Sequence, residues 1–479
     1  MHVHLIGVCG TGMGAFAGLL RSTGHRVTGS DTAFHPPMGE ALTRWGIETL
    51  TGYDPRHLEP APDLVIIGNV CRPDNVEARA AIERGLRYDS FPGALAERFL
   101  RERRSFVVTG THGKTTTSTL LAFLLDAAGQ APGFLVGGLP MDFDESFRAG
   151  DVGGPFVVEG DEYDSAFFEK SPKMWRYLPK VATIGSVEHD HIDIYPDMES
   201  YRAAFRGLVA RMPGDGLLVL NAADPEVRAL APAAPCRVVW CALHGDDTGA
   251  VDPTWLAAPV EPDDLAQPFD LFVGGSSCGR ARSPLFGAHN IRNALVAIAV
   301  AAEGAGVPVH TLITALARFG GVRRRQELRG IADGVRVYDD FAHHPTAVAE
   351  TLRALRARHR KGRLLAIFEP RSATASRRLH QEAYATAFAP ADVAWLAPVG
   401  RKEIAGAEKL DVDLLAAALR RAGVAAEAPG SIDAIVERVA EITAPGDTVV
   451  AMSNGEFGRI HERILGRLAL RLMTSRRDA

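Results

Sequence analysis

Residues Gly110–Thr117 read GTHGKTTT and follow the apolar run Phe106–Thr109. A glycine-rich turn between a strand and a helix aims backbone N–H groups at a phosphate, and the helix dipole adds positive potential there. In such a loop Gly110 and Gly113 permit the tight backbone, and Thr111, His112 and Thr116 complete the cradle. Lys114 supplies a mobile cation for the β- and γ-phosphates, and Thr115 offers a hydroxyl to Mg²⁺. The first glycine of the usual G-x-x-x-x-G-K-[ST] pattern is replaced by Val108. The pattern predicts ATP binding, and with it an enzymatic use of ATP.

Two acidic clusters follow apolar strands: Glu159-Gly-Asp161-Glu162-Tyr163-Asp164 and Glu188-His189-Asp190-His191-Ile192-Asp193. Ligands gather at the carboxyl ends of strands in open α/β sheets, so these groups are expected beside the ATP phosphates. Carboxylates there suit Mg²⁺, a cation that prefers oxygen. The series His189-x-His191-x-Asp193 also mimics a metallohydrolase ligand set, but Ile194 stands where a further ligand would be most useful.

A second glycine run opens the chain, with Gly7, Gly10, Gly12 and Gly14. Gly10-Thr11-Gly12-Met13-Gly14-Ala15 fits G-x-G-x-x-A, and Ser30-Asp31 ends the next strand, roughly 20 residues on. This is a diphosphate-binding pattern with an acid for a ribose. NAD and a UDP-sugar fit it equally well, so a dehydrogenase stays open at this point.

The elements that hold these groups follow from the hydrophobic pattern. A chain of 479 residues exceeds the roughly 250–300 that one core sustains, and about 150 per domain gives three. Short β-branched runs alternate with helical segments, as in α/β layers over parallel sheets. Strands are expected at His2–Ile6, Arg26–Thr28 and Leu64–Ile67, with a helix from about Met13 to Ser22. A charged stretch, Arg98–Arg104, leads to a new unit: strand, phosphate loop and apolar helix through Leu125, then strands at Phe156–Val158, Val181–Ile184 and Leu217–Leu220. From about Ala242 to Ser283 the chain is rich in Pro, Asp and Gly and its elements are only loosely placed. Helices at Asn290–Ala302 and Thr311–Arg318 close the unit before Gly320-Gly321. A third α/β series has strands near Val335–Tyr338, Leu364–Phe368, Val393–Leu396 and Thr448–Met452. The expected domains are 1–104, 105–319 and 320–479.

A formal charge of 53 − 58 = −5 gives no reason to coat nucleic acid or an anionic membrane. The longest apolar run, Ala294–Ala302, is far short of the ~20 residues that span a bilayer. The start, MHVHLIGVCG, lacks a basic n-region, so a cytoplasmic protein is expected. Five scattered cysteines, none in a CxxC pair, support neither a disulfide framework nor a thiolate zinc site.

In their order along the chain, GTHGKTTT, EGDEYD, VEHDH, NAADP, GAHNIRNA, GVRRRQELRG and YDDFAHHPTA resemble the Mur ligase family. The resemblance implies an α/β fold of three domains: an N-terminal Rossmann-like domain for a UDP-sugar, a central P-loop ATPase-like parallel sheet, and a C-terminal Rossmann-like domain for the incoming amine. The implied chemistry is amide synthesis: a carboxylate attacks the γ-phosphate, and an amine then attacks the acyl phosphate. Carried over residue by residue, Lys114, His191 and Arg325 look catalytic, and Thr115, Glu159 and His191 look like Mg²⁺ ligands. His289, Asn290 and Asn293 match the family's nucleotide motif, Arg325 the arginine that reaches the phosphates, and Asp340 the aspartate on the ribose. The run Arg323–Arg325 leaves that arginine's register open by one.

The UDP-sugar falls to Gly10, Thr11, Gly12, Met13, Gly14, Ser30 and Asp31, and the amine substrate to His343, Arg371 and Ser372. The carbamylated lysine of several relatives aligns with Phe205. Stretches such as SDTAFHPPM, EGDEYDSAFFEK, FEPRSAT and MSNGEFGRIH resemble the branch that joins UDP-N-acetylmuramate to the recycled tripeptide L-alanyl-γ-D-glutamyl-meso-diaminopimelate. Within it, Gly160 and Ala373 stand where Ala and Asn are expected. The L-alanine-adding branch is the alternative. A monomer or weak dimer is expected, with ATP and Mg²⁺ as cofactors.

Overall fold

The computed structural model describes residues 1–401 and 404–475, and its strands form three successive sheets beside one small hairpin. In the first sheet the spatial order is Glu48–Thr51, Arg26–Asp31, His2–Ile6, Leu64–Ile67 and Tyr88–Ser90, all parallel. Leu64–Ile67 reads LVII and is buried throughout, because a parallel sheet is covered on both faces.

The central sheet has ten strands. Its parallel middle runs Leu217–Asn221, Val181–Ile184, Arg104–Thr109 and Pro155–Glu159. The loosely patterned stretch after Ala242 adds three strands at one side of the sheet, Trp255–Pro259, Gln267–Val273 and, at the edge, Ser276–Ser283. The last two form an antiparallel hairpin turned by Gly274 and Gly275, both at positive φ (55° and 78°), the geometry a two-residue turn requires. The third sheet runs Glu327–Ala332, Val335–Asp340, Thr448–Met452, Leu364–Phe368, Val393–Leu396 and Ala425–Glu427. Only its first pair is antiparallel.

Both glycine turns leave a strand that sits where the sheet order reverses. His2–Ile6 lies between Arg26–Asp31 and Leu64–Ile67, and Arg104–Thr109 lies between Val181–Ile184 and Pro155–Glu159. Such switch points open a crevice at the carboxyl ends of the strands. Helix starts sort accordingly. Helices Val76–Glu83, Met198–Val209, Pro225–Leu230 and Val412–Arg421 have Asn or Asp side chains capping their first N–H groups. Helices Thr11–Ser22, Lys114–Ala127 and Ala288–Ala305 begin after Gly10, Gly113 and Gly287 with no side-chain cap. Their exposed dipole ends mark the ligand face of the molecule.

The helix expected from Met13 starts earlier, at Thr11, and the one expected at Thr311–Arg318 spans Val309–Leu316. The first and central units share one apolar core, in which Phe99 meets Phe156 and Trp45 packs edge-on against Phe147. Gly18 makes this seam possible, since a Cβ there would lie 2.4 Å from the Phe147 ring. No helix among the described residues is long and apolar enough to cross a membrane.

Candidate active site

The phosphate loop is fixed by its glycines. Gly110 has φ 131° and lies against the next strand's end, where a Cβ would come within 2.9 Å of the Gly185 and Ser186 nitrogens. Gly113 has φ 77°, and a Cβ there would lie 2.4 Å from Asn293 Oδ1. Val108, in place of the missing glycine, is a buried strand residue in register with Thr183 and Glu159. The turn therefore begins two residues later and is shorter. Thr111 and His112 donate their N–H groups to Ser186, through its carbonyl (2.9 Å) and hydroxyl (3.1 Å) respectively. Thr116 is buried in the first turn of the helix.

Lys114 Nζ donates to Gly110 O at 2.7 Å and to Glu162 Oε2 at 2.9 Å. Burial would lower its pKa, but the charges of Glu162 and Asp161 outweigh that and raise it, so the ammonium is permanent. Glu162 is almost fully enclosed and also accepts from Tyr201 Oη (3.0 Å), with His191 Nε2 at 3.3 Å. Burial works to raise this carboxyl, yet Lys114 and His191 hold it at about 2. Glu162 was not singled out from the sequence, where its only signal is membership of the EGDEYD run. His191 itself sits at φ 51°, a left-handed conformation that a non-glycine residue adopts only when its surroundings enforce it. Phe205, at the carbamylated-lysine position, is a core residue edge-on to Tyr201.

Glu159 lies on the other side of the loop, accepting from Thr115 Oγ1 (2.8 Å) and Gly137 N (2.7 Å). Burial and the neighbouring Asp161 charge push its pKa up, against the bonds from Gly137 and Thr115 and the charge of Lys114. The hydroxyl–carboxylate pair Thr115–Glu159 is a donor set of hard oxygens that fits Mg²⁺. His191 contacts Glu162 instead, so the expected trio is divided between the two sides of Lys114. Among the described residues, the metal-type side chains whose ligand atoms converge within 4.8 Å are a different set: His112, Glu188 and His344.

Beside the loop a cavity of about 350 Å³ opens between the central and third units. His289, Asn290 and Asn293 line it from the uncapped helix Ala288–Ala305. Asn293 is held by Asn290 Oδ1 (3.1 Å) and accepts from Thr117 Oγ1 (3.2 Å), while Asn290 donates to Phe286 O at 2.9 Å. Asn290 therefore positions, and Asn293 faces the loop. Asp340 enters from the third unit and accepts the backbone N–H groups of Gln326 (2.7 Å) and Ala342 (2.8 Å). Asn221, from the NAADP motif, lines the cavity as well.

The two candidate arginines diverge. Arg325 Nη2 reaches Thr115 Oγ1 at 3.3 Å and its guanidinium lies over Phe341, 4.8 Å from the ring centre. Arg324 turns back into the third unit, donating to Ser453 O and Gly455 O, both at 2.6 Å. His343 is kept neutral by burial, with Nδ1 at 3.1 Å from Phe341 O. Arg371 packs against Gly455, where a Cβ would lie 2.4 Å from its Cδ, and stands 3.9 Å from Glu369. Ser372 Oγ accepts from Ala375 N at 2.9 Å.

At the first glycine turn, Asp31 accepts from Cys9 N (2.8 Å) and Thr32 N (2.7 Å), so its carboxylate shapes the turn. Gly10, Thr11 and Gly12 lie on the turn's outer side, and Met13 is buried beneath. Gly14 is required by packing, since a Cβ would meet the Met38 sulfur at 2.1 Å. Ser30 is not brought to the surface of this turn. It is fully enclosed and donates to buried Glu77 at 3.0 Å, in a network with His4.

Three family models match in succession: the Mur ligase family catalytic domain over residues 2–103, the Mur ligase middle domain over 108–301, and the Mur ligase glutamate ligase domain over 324–455. A UDP-N-acetylmuramate–L-alanyl-γ-D-glutamyl-meso-2,6-diaminoheptandioate ligase of Escherichia coli K12 is 38% identical over 98% of both chains. A UDP-N-acetylmuramate–L-alanine ligase of Roseiflexus sp. RS-1 is 36% identical, covering 98% of this chain and 99% of its own. Among solved structures, a murein peptide ligase from Psychrobacter arcticus 273-4 is similar with TM-score 0.71 and 35% identity, over 98% of this chain and 99% of its own.

Proposed function

The chain belongs to the Mur ligase family, and from that premise we propose that it joins UDP-N-acetylmuramate to the tripeptide L-alanyl-γ-D-glutamyl-meso-diaminopimelate. The lactoyl carboxylate attacks the γ-phosphorus of ATP, ADP leaves, and an acyl phosphate forms. The peptide's amino nitrogen then attacks the acyl carbon, and phosphate leaves as the amide closes. The observation that carries this reading is that two domains each bring a cation to the phosphate loop: Lys114 lies within it, paired with Glu162, and Arg325 reaches the Thr115 hydroxyl from the third domain. Charge develops on the phosphoryl oxygens at that point, and preorganised donors stabilise it without reorganisation.

Lys114 is held within the loop by Gly110 O, Glu162 and, at 3.5 Å, Thr111 O, which fixes its ammonium among the loop's N–H groups. Mg²⁺ held by Thr115 and Glu159 would neutralise phosphate charge when bound. His191, locked by Glu162 and by its own backbone, faces the same oxygens. The first glycine turn takes the diphosphate of the sugar nucleotide, and Arg371 with Ser372 takes a peptide carboxylate. Because ATP and a sugar nucleotide are the reactants, the reading puts the reaction in the cytoplasm, in the reuse of wall peptide.

The tripeptide is favoured over free L-alanine by the relatives matched over 98% of this chain: those named for the peptide reach 38% identity among sequences and 35% among solved structures, against 36% and 22% for those named for L-alanine. Phosphate release from UDP-N-acetylmuramate, ATP and a panel of amines from L-alanine to a tetrapeptide tests this. The expected order puts the tripeptide well ahead of L-alanine, and faster turnover with L-alanine would overturn the assignment.

A further inference from the structure

We propose that His112, Glu188 and His344 form a site for one transition-metal ion of the Zn²⁺ class, bridging the central and third domains. His112 Nε2 stands 2.8 Å from Glu188 Oε2, His344 Nδ1 stands 3.8 Å from Glu188 Oε1, and all three ligand atoms lie within 4.8 Å of one another. The second, independent observation is His344 itself. It is 3% exposed, and neither ring nitrogen has a hydrogen-bond partner. It occupies the N-cap position of helix Pro345–Arg358, yet makes no capping bond. Burying an imidazole with both nitrogens unanswered is costly unless something else engages them.

The donor set identifies the ion. Two imidazoles and one carboxylate suit Zn²⁺ and its neighbours, whereas Mg²⁺ prefers oxygen alone. Tetrahedral bonds of about 2.0–2.2 Å set ligand atoms roughly 3.4 Å apart, so His112 and Glu188 would part slightly while the wider pairs close, shifts that side-chain rotation supplies. The metal would displace the His112 proton now shared with Glu188. Thr346 Oγ1, donating to both Glu188 oxygens at 2.8 and 2.9 Å, would orient the carboxylate from outside the first ring of ligands. His344 comes from the third domain and the other two ligands from the central one. The ion would therefore bind only where these domains meet, and by linkage would hold them together. This site is separate from Thr115 and Glu159 and does not depend on the reaction assigned to the chain.

The test uses the tagless full-length chain in competition with a chromogenic zinc chelator, under a large excess of Mg²⁺. One equivalent of Zn²⁺ is expected, with affinity at least about tenfold lower in His344→Ala and in Glu188→Gln. Zn²⁺ should also raise the melting temperature of the parent and leave that of both variants unmoved. A parent that fails to compete for Zn²⁺, or variants that compete equally well, would overturn the site. If His344→Ala does not fold, Glu188→Gln decides with Co²⁺. Visible bands without thiolate charge transfer should appear in the parent and vanish in the variant, and their persistence would equally defeat the proposal.

Discussion

Adjacent residues of like charge take opposite duties at the domain junction. Arg324 and Arg325 follow each other, but a positive φ of 61° at Arg324 turns their side chains apart. Arg324 ends on two carbonyls of its own domain, whereas Arg325 crosses to Thr115 of the phosphate loop. Losing a donor aimed at developing charge costs about 10²–10³ in turnover, while losing a structural arginine costs stability. Arg325→Ala should therefore lower kcat by about two orders of magnitude with little change in thermal stability. Arg324→Ala should do the reverse, lowering the melting temperature while sparing most of kcat. Steady-state kinetics and thermal unfolding of both variants check this, and a large kcat loss in Arg324→Ala alone would exchange the two roles.

Pairing within an element decides ionisation that composition leaves open. Asp339 and Glu327 face each other across the only antiparallel pair of the third sheet. Burial raises the Asp339 carboxyl to about 6, with Arg324 opposing and the Asp340 and Glu327 charges adding to the rise. Its folded pKa thus exceeds the ordinary value of 3.8, so between pH 4 and 6 the folded state binds more protons than the unfolded one. Stability from this group accordingly falls as pH rises through that window and stays lost above it. Asp339→Asn, a mimic of the protonated acid, should flatten that slope and raise stability at pH 8 by on the order of 1–3 kcal/mol. Urea unfolding at pH 5 and pH 8 measures it, and an unaltered slope would show that Asp339 ionises normally.

The same scale shows what was legible beforehand. Strand–turn–helix units around GTHGKTTT and the first glycine run follow from hydrophobic runs and glycine spacing, because buried parallel strands write themselves as continuous apolar residues. Ser276–Ser283 is hidden because an edge strand carries polar residues such as Arg280 and Arg282 on its open face, and interior Trp255–Pro259 because so short an apolar run as WLAAP fits helix and strand alike. Glu162 was hidden for another reason: in an acidic run, the residue that points inward depends on the local turn, and spacing alone does not choose it. Ser30 likewise stands beside Asp31 in sequence, but the strand's period of two sends it to the buried Glu77.

At the scale of the whole molecule, the proposed reaction needs the third domain against the central one, and several side-chain contacts join them near the cavity. Arg325 reaches Thr115, Thr346 donates to Glu188, and Thr374 donates to Asp190 at 2.6 Å. The last is the most enclosed, with both residues buried and the Asp190 carboxylate held ionised, against the effect of burial, by His191 and Thr374. A hydrogen bond to a buried charge contributes about 1.5–3 kcal/mol. If it acts only when the domains are together, removing it lowers the fraction of chains competent to hold ATP, and apparent affinity falls in proportion. Thr374→Val should then raise the KM for ATP by up to about tenfold, with a smaller loss of kcat. Thr386→Val, whose hydroxyl bonds only to Ala383 O on its own exposed helix, is the control and should change neither. An unchanged KM for ATP in Thr374→Val would mean that the domain contact forms independently of the nucleotide, and closure would then rest on Arg325 and the phosphates it meets.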